Sequence, residues 1–191
     1  MENTFTKFYN MVIEETYLKG CFILKPNIYN DERGCFFESY NKIDFEKRTG
    51  ISVNFIQDNE SRSSKDVLRG LHFQFGAYAQ AKLVRVVKGR VLDVCVDIRR
   101  ESKTFGKSFS IILDDKENKQ LFIPKGFAHG FLALEPDTIF SYKCDNYYNK
   151  SSERGIVYND KKLNINWGIP DNQIILSEKD KQLPSFDNLF K

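Results

Sequence analysis

An all-β fold, a sandwich or a jelly-roll barrel, is the class this sequence predicts, and three observations predict it. Between residues 51 and 148, short β-rich segments follow one another with turn signals between them. The clearest of them alternates with a period of two, and helical periodicity is nearly absent. Many short strands at this spacing are the mark of two packed sheets or a closed roll.

Taken in chain order, residues 1–11 read as a loosely attached extension, and residues 43–48 as the best helix candidate, a short one. Residues 55–58 and 67–74 are the first strand candidates within the β-rich region. Residues 81–87 are also β-rich, and Lys88-Gly89 after them reads as a tight hairpin turn. It leads into the strongest strand signal, residues 90–98. There Leu92, Val94, Val96 and Ile98 alternate with Asp93, Cys95 and Asp97, as expected of a strand with one buried face. Residues 108–113, 120–123, 128–134 and 138–144 complete the set, with loops at 114–118 and at Glu135-Pro136-Asp137. Residues 176–191 read as a tail lying over the barrel. Without a repeat, a low-complexity tract or a linker composition, the 191 residues are expected to form one domain.

Composition narrows the function classes. Lys and Arg total 29 against 26 for Asp and Glu, a formal charge of +3 spread along the chain, so nucleic acid is not an expected partner. A few basic groups in one pocket can still hold a small anion. Cys21, Cys35, Cys95 and Cys144 are widely scattered and are expected to be reduced thiols of a cytoplasmic protein. No leader peptide is indicated near the N-terminus, and no apolar stretch approaches the ~18 residues of a membrane span.

The two histidines, His72 and His129, each lie beside glycine in a strand-like aromatic segment. Two are too few for a three-histidine metal site, and neither belongs to an H-x-H or H-E-x-x-H motif, which disfavours metal catalysis. A lone histidine on a strand is more often a buried ring satisfied by backbone. Alternation, however, puts Gly70, His72 and Gln74 on one face and Leu71 and Phe73 on the other, so His72 shares its side with small and polar groups. That face suits a pocket better than a packed core. Arg69 falls on the opposite parity and reaches the same cavity only if the strand bends or bulges. Lys82, Arg85, Tyr142 and Lys143 read by themselves as ordinary strand residues. No glycine-rich loop opens a helix after a strand, which argues against a Rossmann or P-loop site.

Together these segments carry a dense resemblance. Asp31-Glu32-Arg33-Gly34 with Phe37-Glu38-Ser39, Gln57-Asp58-Asn59, Val67-Leu68-Arg69-Gly70-Leu71-His72-Phe73-Gln74, Gln80-Ala81-Lys82, Tyr142-Lys143, Asn146-Tyr147-Tyr148, Glu153-Arg154-Gly155 and Leu176-Ser177-Glu178-Lys179-Asp180 are among the matching blocks. Over about residues 22–185 the chain resembles the dTDP-4-dehydrorhamnose 3,5-epimerase family of sugar-nucleotide enzymes. The resemblance implies a homodimeric cupin jelly-roll (double-stranded β-helix) barrel that works without metal or cofactor. It implies His72 as general base with Asp180 paired to its imidazole, Lys82 beside the C4 oxygen and Tyr142 as the acid on the far side of the sugar. It also implies substrate contacts from Arg33, Glu38, Gln57, Asn59, Arg69, His129, Glu153 and Lys179, with Tyr148 stacked on the nucleobase.

These roles make chemical sense. A carbon next to a ketone is acidified because the departing charge moves onto the carbonyl oxygen, so a base and a cation at that oxygen are the minimum apparatus. C3 and C5 both flank C4, and one histidine can serve both if a second group returns the proton from the opposite face. Three positions depart from the family: Cys35 in place of an aromatic, Asn30 in place of a frequent glycine, and Lys103 in place of a proline. The smaller Cys35, close to Arg33, leads us to expect a roomier sugar or base subsite. The simplest expected reaction is dTDP-4-dehydro-6-deoxyglucose to dTDP-4-dehydrorhamnose. The alternatives are inversion at one carbon, another sugar nucleotide such as a GDP-linked 4-keto heptose, or a non-catalytic sugar-nucleotide-binding cupin.

Overall fold

A computed structural model describes residues 11–191, so residues 1–10 of the expected extension lie outside it. Met11, the last of that extension, is buried and opens a strand, β1 (Met11–Glu15). The first sheet runs in the order β1, β2 (Phe22–Pro26), β10 (Gln120–Ile123), β7 (Lys82–Lys88), β12 (Thr138–Cys144) and β5 (Gln57–Ser63). The second runs β13 (Glu153–Gly155), β6 (Leu68–Gln74), β11 (Phe127–Ala133), β8 (Arg90–Asp97) and β9 (Ser108–Asp114). A separate hairpin pairs β3 (Tyr29–Asp31) with β4 (Gly34–Phe36). Neighbouring strands in both sheets are antiparallel, and the chain passes repeatedly from one sheet to the other, which makes the jelly roll of a cupin.

Lys88-Gly89 is one of these crossings and not the hairpin turn expected from the sequence. β7 pairs with β10 and β12, and β8 with β11 and β9. Gly89 does take the positive φ of a turn, 86°, and a Cβ there would sit 2.6 Å from Thr138 Oγ1. The local signal for a sharp turn is the same in both cases; the partner of each strand is decided by residues far along the chain.

Three apolar layers follow from the alternation. Between the sheets lie Val84, Val86, Leu121, Ile123 and Phe140 from one and Val91, Cys95, Leu113, Phe127 and Phe131 from the other. Phe131 and Phe140 stack with ring centroids 4.1 Å apart. Outside the five-stranded sheet, Leu68, Leu71, Val94, Val96 and Leu132 are covered by the chain from Ile156 through Trp167 to Phe186. Outside the six-stranded sheet, Leu24, Leu83 and Phe122 are covered by Phe45 of α1 (Lys42–Thr49) and by Val53. α1 is capped by the Asn41 side chain, which accepts from the Asp44 N–H, and ends at Gly50 in the left-handed region. Because both faces of β8 are covered, Asp93 and Asp97 are fully buried, not exposed as simple alternation implied.

Candidate active site

The site begins with an irregularity in β6. His72 faces His129 across the ladder, but Arg69, three residues back, faces Phe131, only two on. One extra residue is therefore accommodated at Gly70-Leu71, and the bulge reverses the parity of everything before it. Arg69 consequently lines the same cavity as His72, the condition under which the sequence allowed it to do so. Gly70 has a φ of 135°, and a Cβ on it would lie 2.5 Å from Gly130 Cα. Two glycines at this crossing let the strands close around the bulge.

The cavity holds about 610 Å³, and an adjoining space of about 270 Å³ shares Asn59, His72, Lys82 and Tyr142 with it. His72 Nε2 lies 2.6 Å from Asp180 Oδ1. Asp180 sits in α2 (Glu178–Lys181), where the Ser177 hydroxyl caps the helix by accepting its N–H at 3.1 Å. Burial alone would raise the Asp180 carboxyl, but hydrogen bonds from His72, the Gly70 N–H and Ser177 outweigh it and hold the group below the usual carboxylate range. Asp180 is thus an anion wherever His72 is used as a base.

Lys82 and Tyr142 enter from the other sheet, on β7 and β12, with the Lys82 ammonium 5.8 Å from the Tyr142 ring centroid. Burial pulls the Lys82 pKa down, against the raising effect of Cys144, Asp93 and Glu153. Burial also pushes the Tyr142 phenol up, so its proton stays on at neutral pH. The His72 imidazole and these two groups therefore face one space from opposite sheets.

The rim is a linked set. The Gln57 side chain accepts the Tyr148 N–H at 2.9 Å and donates to Asn59 Oδ1 at 3.0 Å. The Tyr148 hydroxyl donates to Glu153 at 2.9 Å, and Lys179 pairs with the same carboxylate oxygen at 2.6 Å. Burial works against the Glu153 charge, but these two donors hold its pKa low. All five residues line the cavity or its extension, as does His129. Arg33 and Glu38 do not: Arg33 stands on the exposed β3–β4 hairpin, paired with Asp31. Cys35 lies on that hairpin too and does not line the cavity of its own chain.

Three participants escaped the sequence reading. Asp93 pairs with His129 at 2.9 Å; the only hint was its place beside Cys95 on the presumed polar face of β8. Gln74 was placed on the pocket face, but its clamp on the rim was not foreseen: it donates to the Tyr78 and Tyr147 carbonyls and accepts the Asn149 N–H. Ser177 aims Asp180, and the Ser-x-x-Asp spacing carries that signal.

A histidine–carboxylate dyad, a buried ammonium and a buried phenol around one cavity can remove a proton beside a carbonyl, steady the resulting oxyanion and return a proton from another side. Fold and site define a cupin-type isomerase. Comparison with known proteins gives the family. The model of the dTDP-4-dehydrorhamnose 3,5-epimerase family matches residues 15–188. The dTDP-4-dehydrorhamnose 3,5-epimerase of Escherichia coli K12 is 49% identical over 181 residues, 95% of this chain and 97% of that one. The crystal structure of the enzyme of the same name from Elizabethkingia anophelis NUHP1 superposes with a TM-score of 0.91 at 50% identity, covering 94% of this chain and 98% of that one. The dTDP-6-deoxy-D-glucose-3,5-epimerase of Legionella pneumophila Philadelphia 1, solved with dTDP-4-keto-L-rhamnose, gives 0.89 at 46% identity, with 93% of each chain covered. The chain belongs to the dTDP-4-dehydrorhamnose 3,5-epimerase family.

Proposed function

We propose that this isomerase inverts C3 and C5 of dTDP-4-dehydro-6-deoxyglucose, with His72 as the base at both carbons. The observation that carries the reading is the 2.6 Å His72–Asp180 pair, set in one cavity with Lys82 and Tyr142 from the opposite sheet. The His72 imidazole takes the proton from the carbon next to the C4 ketone, and Asp180 stabilises the imidazolium that forms. Charge moves to the C4 oxygen, where the Lys82 ammonium stabilises it. Tyr142 delivers a proton to the opposite face, which inverts the centre, and the cycle repeats at the second carbon. Arg69 and Lys179 supply cations for the diphosphate, while Tyr148 at the outer rim offers its ring to the base. No step uses a metal, and among the described residues no group of three His, Cys, Asp or Glu side chains is placed to hold one.

A homodimer accounts for Arg33 and Glu38. Arg33 stands on the exposed hairpin and Glu38 two residues after it, with Phe36 71% accessible and the Arg33 side chain 85%, and a hairpin laid over a second copy would bring both residues to that copy's cavity. Among the described residues no helix is long and apolar enough to cross a membrane, and the reduced cysteines fit a cytoplasmic enzyme.

The test is incubation in heavy water, with chelator present, against dTDP-, GDP- and CDP-linked 4-keto sugars. Deuterium at C3 and C5 of the dTDP sugar is expected. His72→Ala should slow uptake at both carbons by about 10²–10⁴-fold. Near-normal exchange in that variant, or exchange confined to one carbon in the unmutated protein, would sink this reading.

A further inference from the structure

His72 has a counterpart. Directly opposite it across the β6/β11 ladder stands His129, whose Nε2 lies 2.9 Å from Asp93 Oδ2. The two dyads sit side by side, but their carboxylates are placed differently. Asp180 is reached by His72, by the Gly70 N–H and by the Ser177 hydroxyl. Asp93 is fully buried on β8, lies behind the cavity wall, and its Oδ1 has no partner. The His129 side chain is only 7% exposed, yet it lines the cavity and is stacked on Phe140 at 6.1 Å and 21°. Among the described residues, Asp93 is the sole hydrogen-bond partner of its ring.

An ionised carboxylate can only accept, so the proton between the two groups belongs to Nε2, and a neutral ring then carries a lone pair on Nδ1. We propose that Asp93 is a positioning residue for the epimerisation: it fixes His129 with its proton on Nε2, so that Nδ1 accepts a hydrogen bond from a sugar hydroxyl and does not donate to a phosphate oxygen. This rests on the sugar-nucleotide reading of the cavity. It differs from a plain buried pair tying β8 to β11, which would need no particular tautomer and no ligand.

With only two histidines in the chain, the test is direct. Protein labelled with ¹⁵N-histidine would be measured by NMR near neutral pH, with His72→Asn assigning the two rings. His129 is expected as the Nε2–H tautomer, with Nδ1 responding to a dTDP-linked sugar but not to thymidine diphosphate alone. In Asp93→Asn, whose amide can donate as well as accept, the His129 tautomer should change or become mixed while that of His72 stays. kcat/KM should fall about 10–100-fold, the scale on which losing the partner that orients a metal-bound histidine lowers activity. An Nδ1–H tautomer in the unmutated protein, an equal response to thymidine diphosphate, or an Asp93→Asn enzyme within twofold of normal would each overturn the proposal. Should the variant not fold, the unmutated tautomer and ligand response decide alone. Neither needs turnover, so a failure of the epimerase reading, seen as absent exchange in the unmutated protein, is distinguishable from a failure of this one.

Discussion

Among individual side chains, Tyr142 makes the sharpest demand on the mechanism. It is buried enough to raise its phenol, and it reaches the cavity from the sheet opposite His72. Removing only its hydroxyl leaves His72, Asp180 and Lys82 in place, so Tyr142→Phe should keep deuterium exchange within about tenfold while losing most inversion. Mass spectrometry for isotope content and proton NMR for configuration, on one sample, would decide; inversion of both centres near the unmutated rate would refute the two-sided mechanism. At this scale the gathering of His72, Lys82, Tyr142 and Asp180 around one cavity was legible through the family motifs, while residue-by-residue reading reached only the polar face around His72. Asp93 was not legible, because a charged residue in an alternating strand reads as solvent-facing. What it faces is the inside of the roll, and nothing within residues 90–98 announces that the other side is also covered.

Among the elements, β6 shows how backbone shape decides side-chain access. The bulge that brings Arg69 beside His72 depends on Gly70, where a side chain would meet Gly130 and where φ is positive. Gly70→Ala should cost about 1–3 kcal/mol of stability by overpacking and should raise KM for the sugar nucleotide, because Arg69 and His72 lose their common face. Thermal melts and steady-state kinetics would check this; a melting curve and KM like those of the unmutated protein would show that the crossing tolerates a methyl group. The strands between residues 57 and 144 were legible as β-rich segments and the helix at 42–49 from its short run, whereas the strands within residues 11–36 and at 153–155 carried no signal that was read. The sheet memberships were not. Lys88-Gly89 turns as sharply as a hairpin, and only the pairing of β7 with β10 and β12 sends the chain to the other sheet.

For the whole molecule, the exposed hairpin sets the prediction. Sedimentation should give twice the mass of the chain, and Arg33→Ala should keep that mass while raising KM at least tenfold. Assayed with substrate well below KM, where both variants are slow, mixed subunits of His72→Ala and Arg33→Ala proteins should then restore up to about a quarter of full activity, since half the re-formed dimers carry one site with neither lesion. No recovery would show that each cavity is served by its own hairpin. The dyad has a different dependence on chain order. His72 lies in the middle of the barrel, and Asp180 is 108 residues further on, in the strap that covers the outer sheet. During synthesis the earlier strands emerge first, so both sheets can be complete while His72 still lacks its carboxylate. On the proposed mechanism, a chain broken off before Ser177 would have the strands of both sheets but would lack the carboxylate of the dyad, the Lys179 cation and the Phe186 cover, so it should show little deuterium exchange.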